Sequence, residues 1–249
     1  MTTQDVSKLG TILGIWAHPD DESFMVGGLL SMAAANGQQV VCVTLTRGEA
    51  GQTADESKWP QATLGQTREQ ELKKALSVLG INNHHLFDYG DGKCAERTDE
   101  ELVPLLIDLI NQHKPDTIIT FPPDGITGHP DHQAVSRWAR RAAEKAEKKP
   151  QVYFAVQTQE AYDSFLKVLD EKFNFYFATD KPVFVLEAEC DLLFKLELPV
   201  AERKMRALKV QESQYVSVFD FLGDKGVEFA LGVEGLVKAE NDARWQSTV

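Results

Sequence analysis

His18, Asp20, Asp21 and Glu22 fall together directly after a short apolar segment, Thr11 to Trp16 (TILGIW). That segment has the length and character of a buried strand, so the cluster is predicted to lie at a strand's carboxyl end, where open α/β sheets bind their ligands. Asp20 or Asp21 alone would suffice to cap the helix predicted from Glu22 to Asn36, because aspartate is among the best N-cap residues. Capping does not account for a histidine and three consecutive acids, whose mutual repulsion is unfavourable unless a cation or hydrogen-bond donors offset it.

Gly128-His129-Pro130-Asp131-His132 repeats the arrangement. It follows a strand predicted over Asp116 to Phe121 and opens a helix predicted over Pro130 to Lys148, with Pro130 suited to the first helical position. His129 precedes that helix and His132 lies in its first turn, so both imidazoles can face one crevice. A histidine pair at a helix start is, taken alone, as consistent with capping as with chemistry. Together the two clusters supply imidazole and carboxylate donors for one metal ion and leave acids and a histidine over, the inventory of a catalytic site with an open coordination position. His84 and His85, beside a short strand, and His113, near a helix end, read as structural.

The elements that must position these clusters alternate. Further strands are predicted from Gln39 to Thr46 and helices from Leu64 to Leu79, with a Gly80 stop, and near Glu100 to Gln112. Alternation of this kind predicts an α/β fold, a Rossmann-like and mostly parallel sheet with helices on both faces. Beyond Pro150 the pattern mixes, with strand candidates at Val152 to Val156, Phe173 to Phe177, Val183 to Glu187 and Glu228 to Val233, and helices near Gln159 to Leu169 and Ala201 to Tyr215. This part reads as a C-terminal sheet extension and substrate wall. No Ser/Gly linker or repeat separates the halves, and the charged run Ala142 to Pro150 reads as a solvated helix end. Residues 1–249 are therefore expected to form a single domain, with a core over 1–150 and an extension over 151–249.

Composition narrows the partners. The chain has 249 residues, 26 basic against 38 acidic, and a net charge of -12. Such a surface repels phosphate backbones and anionic lipid, so nucleic acid is not an expected partner. Cys42, Cys94 and Cys190 are odd in number and widely spaced, which predicts reduced thiols rather than a disulfide framework. The polar N-terminus, and the interruption of the next apolar run by His-Pro-Asp-Asp-Glu, fit neither a secretory segment nor a membrane span, which points to the cytoplasm. Oligomeric state is left open, a homo-oligomer included.

Ala17-His18-Pro19-Asp20-Asp21-Glu22, taken with His129-Pro130-Asp131-His132, resembles the LmbE or PIG-L family of N-acetylglucosaminyl deacetylases. The resemblance extends to Thr46-Arg47-Gly48-Glu49, Thr67-Arg68-Glu69-Gln70-Glu71 and Phe121-Pro122-Pro123-Asp124. Where the family often has a histidine ahead of Ser-Gln, this chain has Gln211, so that histidine's role is not carried over. The resemblance implies zinc held by the residues matching His18, Asp21 and His132, a general base matching Asp20, and a small N-acetyl sugar conjugate as substrate. Two imidazoles and a carboxylate suit zinc and also accept iron(II). The resemblance places His129 beside the oxyanion, where its protonated form would stabilise charge or help protonate the leaving amine. Asp131 is a candidate to orient it. Arg68 is similar to a family position that contacts substrate, its ordinary alternative being an ion pair with Glu71 three residues on.

Competing readings are amide cleavage of a thiol conjugate by the same metal set, a metal-dependent phosphoesterase, and a non-catalytic nucleotide-binding module. A single ligand set argues against a two-metal phosphoesterase. The sequence after the first strand, HPDDESFMVGG, lacks the GxGxxG fingerprint, and its acids would repel a pyrophosphate at the helix N-terminus.

Overall fold

A computed structural model describes residues 5–179, 181–223, 232–240 and 245. The first half runs β1 (Ile12–Trp16), α1 (Asp21–Ala35), β2 (Val40–Thr44), α2 (Leu64–Leu79), β3 (Asn83–Leu86), α3 (Asp99–His113), β4 (Thr117–Thr120), a single turn α4 (Gly125–Gly128) and α5 (Pro130–Lys145). The second half adds β5 (Gln151–Val156), a short α6 (Gln159–Ala161), α7 (Lys167–Phe173), β6 (Leu192–Leu196), α8 (Leu198–Lys209), α9 (Glu212–Leu222) and β7 (Gly232–Lys238).

The described strands form one sheet in the order β3-β2-β1-β4-β5-β7-β6. Strands β1 to β5 pair in parallel, whereas β7 runs antiparallel to both β5 and β6. Every residue of β1, β2 and β4 is buried, as expected of parallel strands covered on both faces. Helices α1, α2, α8 and α9 pack among themselves, and α3 packs on α5. The chain leaves β1 toward β2 on one side and β4 continues on the other, so the β1/β4 boundary is the switch point where the crossovers diverge and a crevice opens. Both histidine clusters follow these two adjacent strands.

The α/β core conforms to the sequence pattern: α2 has the expected bounds, α1 is shifted one residue toward the N-terminus, α3 is one residue longer at each end, and β1, β2, β4 and α5 are trimmed. The C-terminal part departs from it. Phe173 to Phe177 is not a strand: Phe173 ends α7, Asn174 turns the chain in the left-handed region at φ 53°, and the aromatics that mimic a strand pack as a wall instead. Val183 to Glu187 contributes only a bridge between Val185 and Thr158. Of Glu228 to Val233, residues 228–231 lie outside the described residues and Gly232 begins β7. Leu192–Leu196 forms β6, which the sequence pattern did not disclose, and the helix expected over Ala201 to Tyr215 divides at Gln211 into α8 and α9. Among the described residues no helix is long and apolar enough to cross a membrane.

Leu13, on the central strand, is fully buried. Leu13→Ala should lower stability by about 2–5 kcal/mol through lost burial and a residual cavity. Urea unfolding with an unchanged m-value checks this, and a loss below about 1 kcal/mol would contradict the packing described.

Candidate metal centre and active-site cleft

The turn after β1 is fixed by hydrogen bonds from Leu45 N to Trp16 O and from Thr46 N and Oγ1 to Ala17 O. The chain then enters α1 through Asp20, which holds φ 109°, an unfavourable conformation for an aspartate that only surrounding contacts sustain. Its side chain makes no capping bond. Instead Oδ2 lies 3.2 Å from Arg68 Nη2. Arg68 itself is buried, donating from Nη1 to Gly48 O at 2.9 Å and from Nη2 to Pro19 O at 2.6 Å. Gly48 is required there: its φ is +66°, and a Cβ would collide with the Arg68 guanidinium. Arg68 thus lines the cleft but uses its Nη groups to hold Asp20 and its loop, while Glu71 accepts from Ser213 N and Oγ at 2.8 and 2.6 Å.

His18, Asp21 and His132 converge. His18 Nδ1 lies 3.1 Å from His132 Nε2 and 3.7 Å from Asp21 Oδ2, and His132 Nε2 lies 3.4 Å from Asp21 Oδ1. Donors held about 2.0–2.1 Å from a tetrahedral ion stand roughly 3.3–3.4 Å apart, so the two imidazole nitrogens and the Asp21 carboxylate lie near the spacing zinc needs, with Asp21 presenting Oδ2 to His18 and Oδ1 to His132. Each donor is aimed from behind. His132 Nδ1 meets Gly125 O at 3.0 Å, which turns Nε2 inward, and Phe121 stacks on the ring at 4.0 Å. Asp21 Oδ2 accepts from His18 N at 2.7 Å. His18 Nε2 faces Asp91 Oδ1 at 3.0 Å and Asp131 Oδ2 at 3.2 Å, which assigns the hydrogen to Nε2 and the lone pair to Nδ1.

Two further donor sets share His18: His18 with His129 and His132, and His18 with Asp91 and Asp131. The acids of the second set are committed elsewhere. Asp131 accepts from Gly92 N and Cys94 N at 2.8 and 2.9 Å, and Asp91 accepts from Ala50 N at 2.9 Å, so both serve as supports behind His18. The expectation that Asp131 orients His129 is corrected: its carboxylate reaches His18, and only its backbone N meets His129, donating to Nδ1 at 3.1 Å.

The electrostatics state the same need for a cation. Burial pulls the His18 pKa down, but hydrogen bonds to Asp131 and Asp91 and the charge of Asp21 outweigh it and lift it to about 10. Without a metal, a proton on His18 takes the place of the missing positive charge. Burial, followed by the His18 charge, lowers His132 to about 3 and His129 to about 4, so both imidazoles are neutral at pH 7. Because His129 Nδ1 is an acceptor, its Nε2 carries the hydrogen and can donate without being an imidazolium. Burial raises Asp20 to about 6, against the pull of Arg68. Glu22, the remaining acid of the first cluster, does not line the cleft; it is wholly buried, accepts from Ser23 Oγ at 2.6 Å, and is pushed up to about 8, first by burial.

The break within α1, the helix that opens with Asp21, is capped from the far end of the chain. Val26 departs from helical geometry at φ -139°, which breaks α1 and frees the next amides. Glu234 on β7 takes them, accepting from Gly28 N at 3.0 Å and Leu29 N at 2.6 Å, and pairs with Lys204 Nζ at 2.7 Å. Gly28 permits the approach, since a Cβ there would lie 3.1 Å from Glu234 and closer still to Leu196.

Sequence reasoning missed Asp91, Glu49, Lys204 and Glu234. The turn Tyr89-Gly90-Asp91-Gly92 after β3 was the available signal for Asp91, an acid between two glycines at another strand's carboxyl end. Its N donates to Glu49 Oε1 at 2.8 Å. Nothing local marks Glu234. The histidines read as structural stay away from the cleft: His85 and His113 pair at 2.9 Å and His84 meets Thr44.

A cleft of about 650 Å³ opens over the His/Asp cluster, walled by residues from both halves of the chain, including Phe24, Phe121, Gln157, Phe175 and Tyr215. A family model described as PIG-L: GlcNAc-PI de-N-acetylase matches residues 13–143. The 1D-myo-inositol 2-acetamido-2-deoxy-alpha-D-glucopyranoside deacetylase of Saccharomonospora viridis is 28% identical over 227 residues, covering 82% of this chain and 84% of that protein. Among solved structures, N,N'-diacetylchitobiose deacetylase from Pyrococcus horikoshii superposes with a TM-score of 0.66 at 20% identity, covering 100% of this chain and 92% of that one. GalB, the 4-carboxy-2-hydroxymuconate hydratase from Pseudomonas putida, reaches 0.63 at 19% identity, covering 92% and 96%. A deacetylase and a hydratase on one fold mean that the fold by itself does not set the reaction.

Glu234→Ala leaves the Lys204 ammonium buried and the α1 amides unpaired, and should cost about 3–5 kcal/mol of stability. Asp131→Asn should leave stability closer to wild type and weaken metal affinity about 10–100-fold, because it loosens His18. Thermal unfolding and metal competition with a chelating dye check the pair, and unchanged metal affinity in Asp131→Asn would contradict the supporting role.

Proposed function

The chain belongs to the PIG-L, GlcNAc-PI de-N-acetylase, family, and from that premise we propose that it is a metal-dependent hydrolase that deacetylates an N-acetyl amino-sugar conjugate. The observation that carries the reading is the donor triangle of His18 Nδ1, Asp21 and His132 Nε2, open toward the cleft and flanked by Asp20 and His129. We assign zinc to the triangle, with iron(II) as the ion it would also accept. Residues 1–249 act as one unit on this reading, with 1–150 supplying the metal site and 151–249 the substrate wall. Cys42 and Cys94 as buried free thiols suit a reducing compartment such as the cytoplasm.

A divalent ion held by the three donors supplies Lewis acidity, which lowers the pKa of water and polarises a carbonyl. The chain's own groups do the rest. Asp20, raised toward neutrality by burial and held by Arg68, takes a proton from the attacking water. The water oxygen bonds to the amide carbon, and the resulting oxyanion accepts a hydrogen bond from His129 Nε2. The C–N bond then breaks, the proton on Asp20 passes to the amine nitrogen, the remaining hydroxyl proton of the former water follows it, and acetate and the protonated amine leave. The relative's name supports an acetamido sugar as the substrate.

Asp20→Asn should bind zinc stoichiometrically and lose about 10²–10⁴-fold in kcat for acetate release from methyl N-acetylglucosaminide. His132→Ala should lose metal in parallel with activity, as elemental analysis of the dialysed protein would report. Full zinc content and full turnover in His132→Ala would contradict the ligand assignment.

A further inference from the structure

The cleft extends well beyond the His/Asp cluster. Its walls are largely aromatic: Phe24, Phe173, Phe175, Tyr176, Phe177 and Tyr215 all line it. Phe24 and Phe175 stack with centroids 5.9 Å apart, and Phe173 continues the arc 6.2 Å from Phe175. Phe177 stands at the rim, 64% exposed, its ring edge-on to His129 at 6.0 Å. A large side chain held in water beside the proton donor, and continuous with an aromatic arc, marks a surface that a ligand covers.

The polar complement is thin. Away from the His/Asp cluster the lining offers only neutral side chains such as Gln52, Thr127, Gln157, Asn174 and Gln214. Arg68 is the one arginine or lysine among the described lining residues, and its Nη groups already donate to Gly48 O, Pro19 O and Asp20. Asp20, Asp21 and Asp91 add negative charge to the same cleft, in a chain of net charge -12. Beyond the His/Asp cluster an anionic group carried by the substrate meets no arginine or lysine side chain with its donors free, and the neutral polar side chains share the lining with these six aromatic residues.

Resting on the deacetylase reading, we propose that the part of the substrate beyond the amino sugar is uncharged and apolar, an alkyl or aryl aglycone laid along Phe175 and Phe177, rather than a polyol or an acid. This sets the chain apart from its inositol-conjugate relatives, whose named substrate carries a polyol at that place. Phe175 and Phe177 are specificity-determining residues: aromatic faces give stacking and dispersion contact to an apolar group and do little for a free hydroxyl.

Ligands without the scissile amide separate this proposal from the reading beneath it. Calorimetric titration of the zinc-loaded full chain with methyl glucoside, hexyl glucoside and glucose 1-phosphate should rank hexyl about tenfold or more tighter than methyl, since two further methylenes taken out of water suffice for that. Glucose 1-phosphate should bind weakest. Phe175→Ala should shrink the hexyl advantage to about threefold or less, and Phe177→Ala, at an exposed site that folding does not depend on, should shrink it in the same direction. Equal affinity for methyl and hexyl glucoside, a tighter complex with the phosphate, or an advantage untouched by both substitutions overturns the proposal. Acetate release from methyl N-acetylglucosaminide, measured alongside, reports on the deacetylase reading by itself: release with no hexyl preference sinks only the aglycone proposal, whereas a hexyl preference without release sinks only the reading.

Discussion

The structure turns on concentrated negative charge next to buried imidazole. Asp21, Asp91 and Asp131 all reach His18, and three carboxylates cannot be held there out of water without a compensating positive charge. Against the pull of burial, their hydrogen bonds and charge lift the His18 imidazole to about 10, while burial first and the His18 charge second lower His129 and His132 to about 4 and 3. A divalent ion held by His18 Nδ1, Asp21 and His132 would meet the same need for positive charge and would supply a Lewis acid. The acids are not equivalent: Asp21 and Asp91 line the cleft while Asp131 is fully buried, and Asp91 and Asp131 accept from backbone amides and face His18 Nε2 rather than Nδ1.

The fold makes the arrangement affordable by bringing two strand ends together at the switch point between β1 and β4. Strain is tolerated there. Asp20 holds φ 109° and Ile126, a β-branched residue in the turn whose Gly125 carbonyl aims His132, holds φ 65°. Distant contacts sustain these conformations: the loop after β2 clamps Asp20 through Arg68, and Glu234 and Lys204 cap the break in α1 from the last strand and α8. The C-terminal extension therefore both contributes to the wall of the cleft and supports the helix that carries Asp21.

Much of this was legible in the chain. The buried parallel strands read directly from their apolar runs, and the two motifs identified both halves of the site because capping could not account for so many acids and imidazoles together. What stayed hidden is long-range. Asp91 looks like an ordinary turn residue until β3 brings it to His18, and Glu234, 205 positions from Leu29, has no local mark at all. Aromatic residues 173–177 misled for a physical reason: strand propensity measures fit to a half-buried surface, and a cleft wall presents one as well as a sheet does. Asp131 was placed in the site by its motif, but which histidine it serves depends on how α5 packs against the turn that carries Asp91 and Gly92.

The central claim is that one divalent ion sits among His18 Nδ1, Asp21 and His132 Nε2, with Asp91 and Asp131 outside its coordination sphere. Anomalous scattering at the zinc edge from crystals of the zinc-loaded protein tests it most directly. The account predicts a single peak about 2.0–2.2 Å from those three donors. A peak bonded to His18 Nε2, Asp91 and Asp131 instead would contradict it.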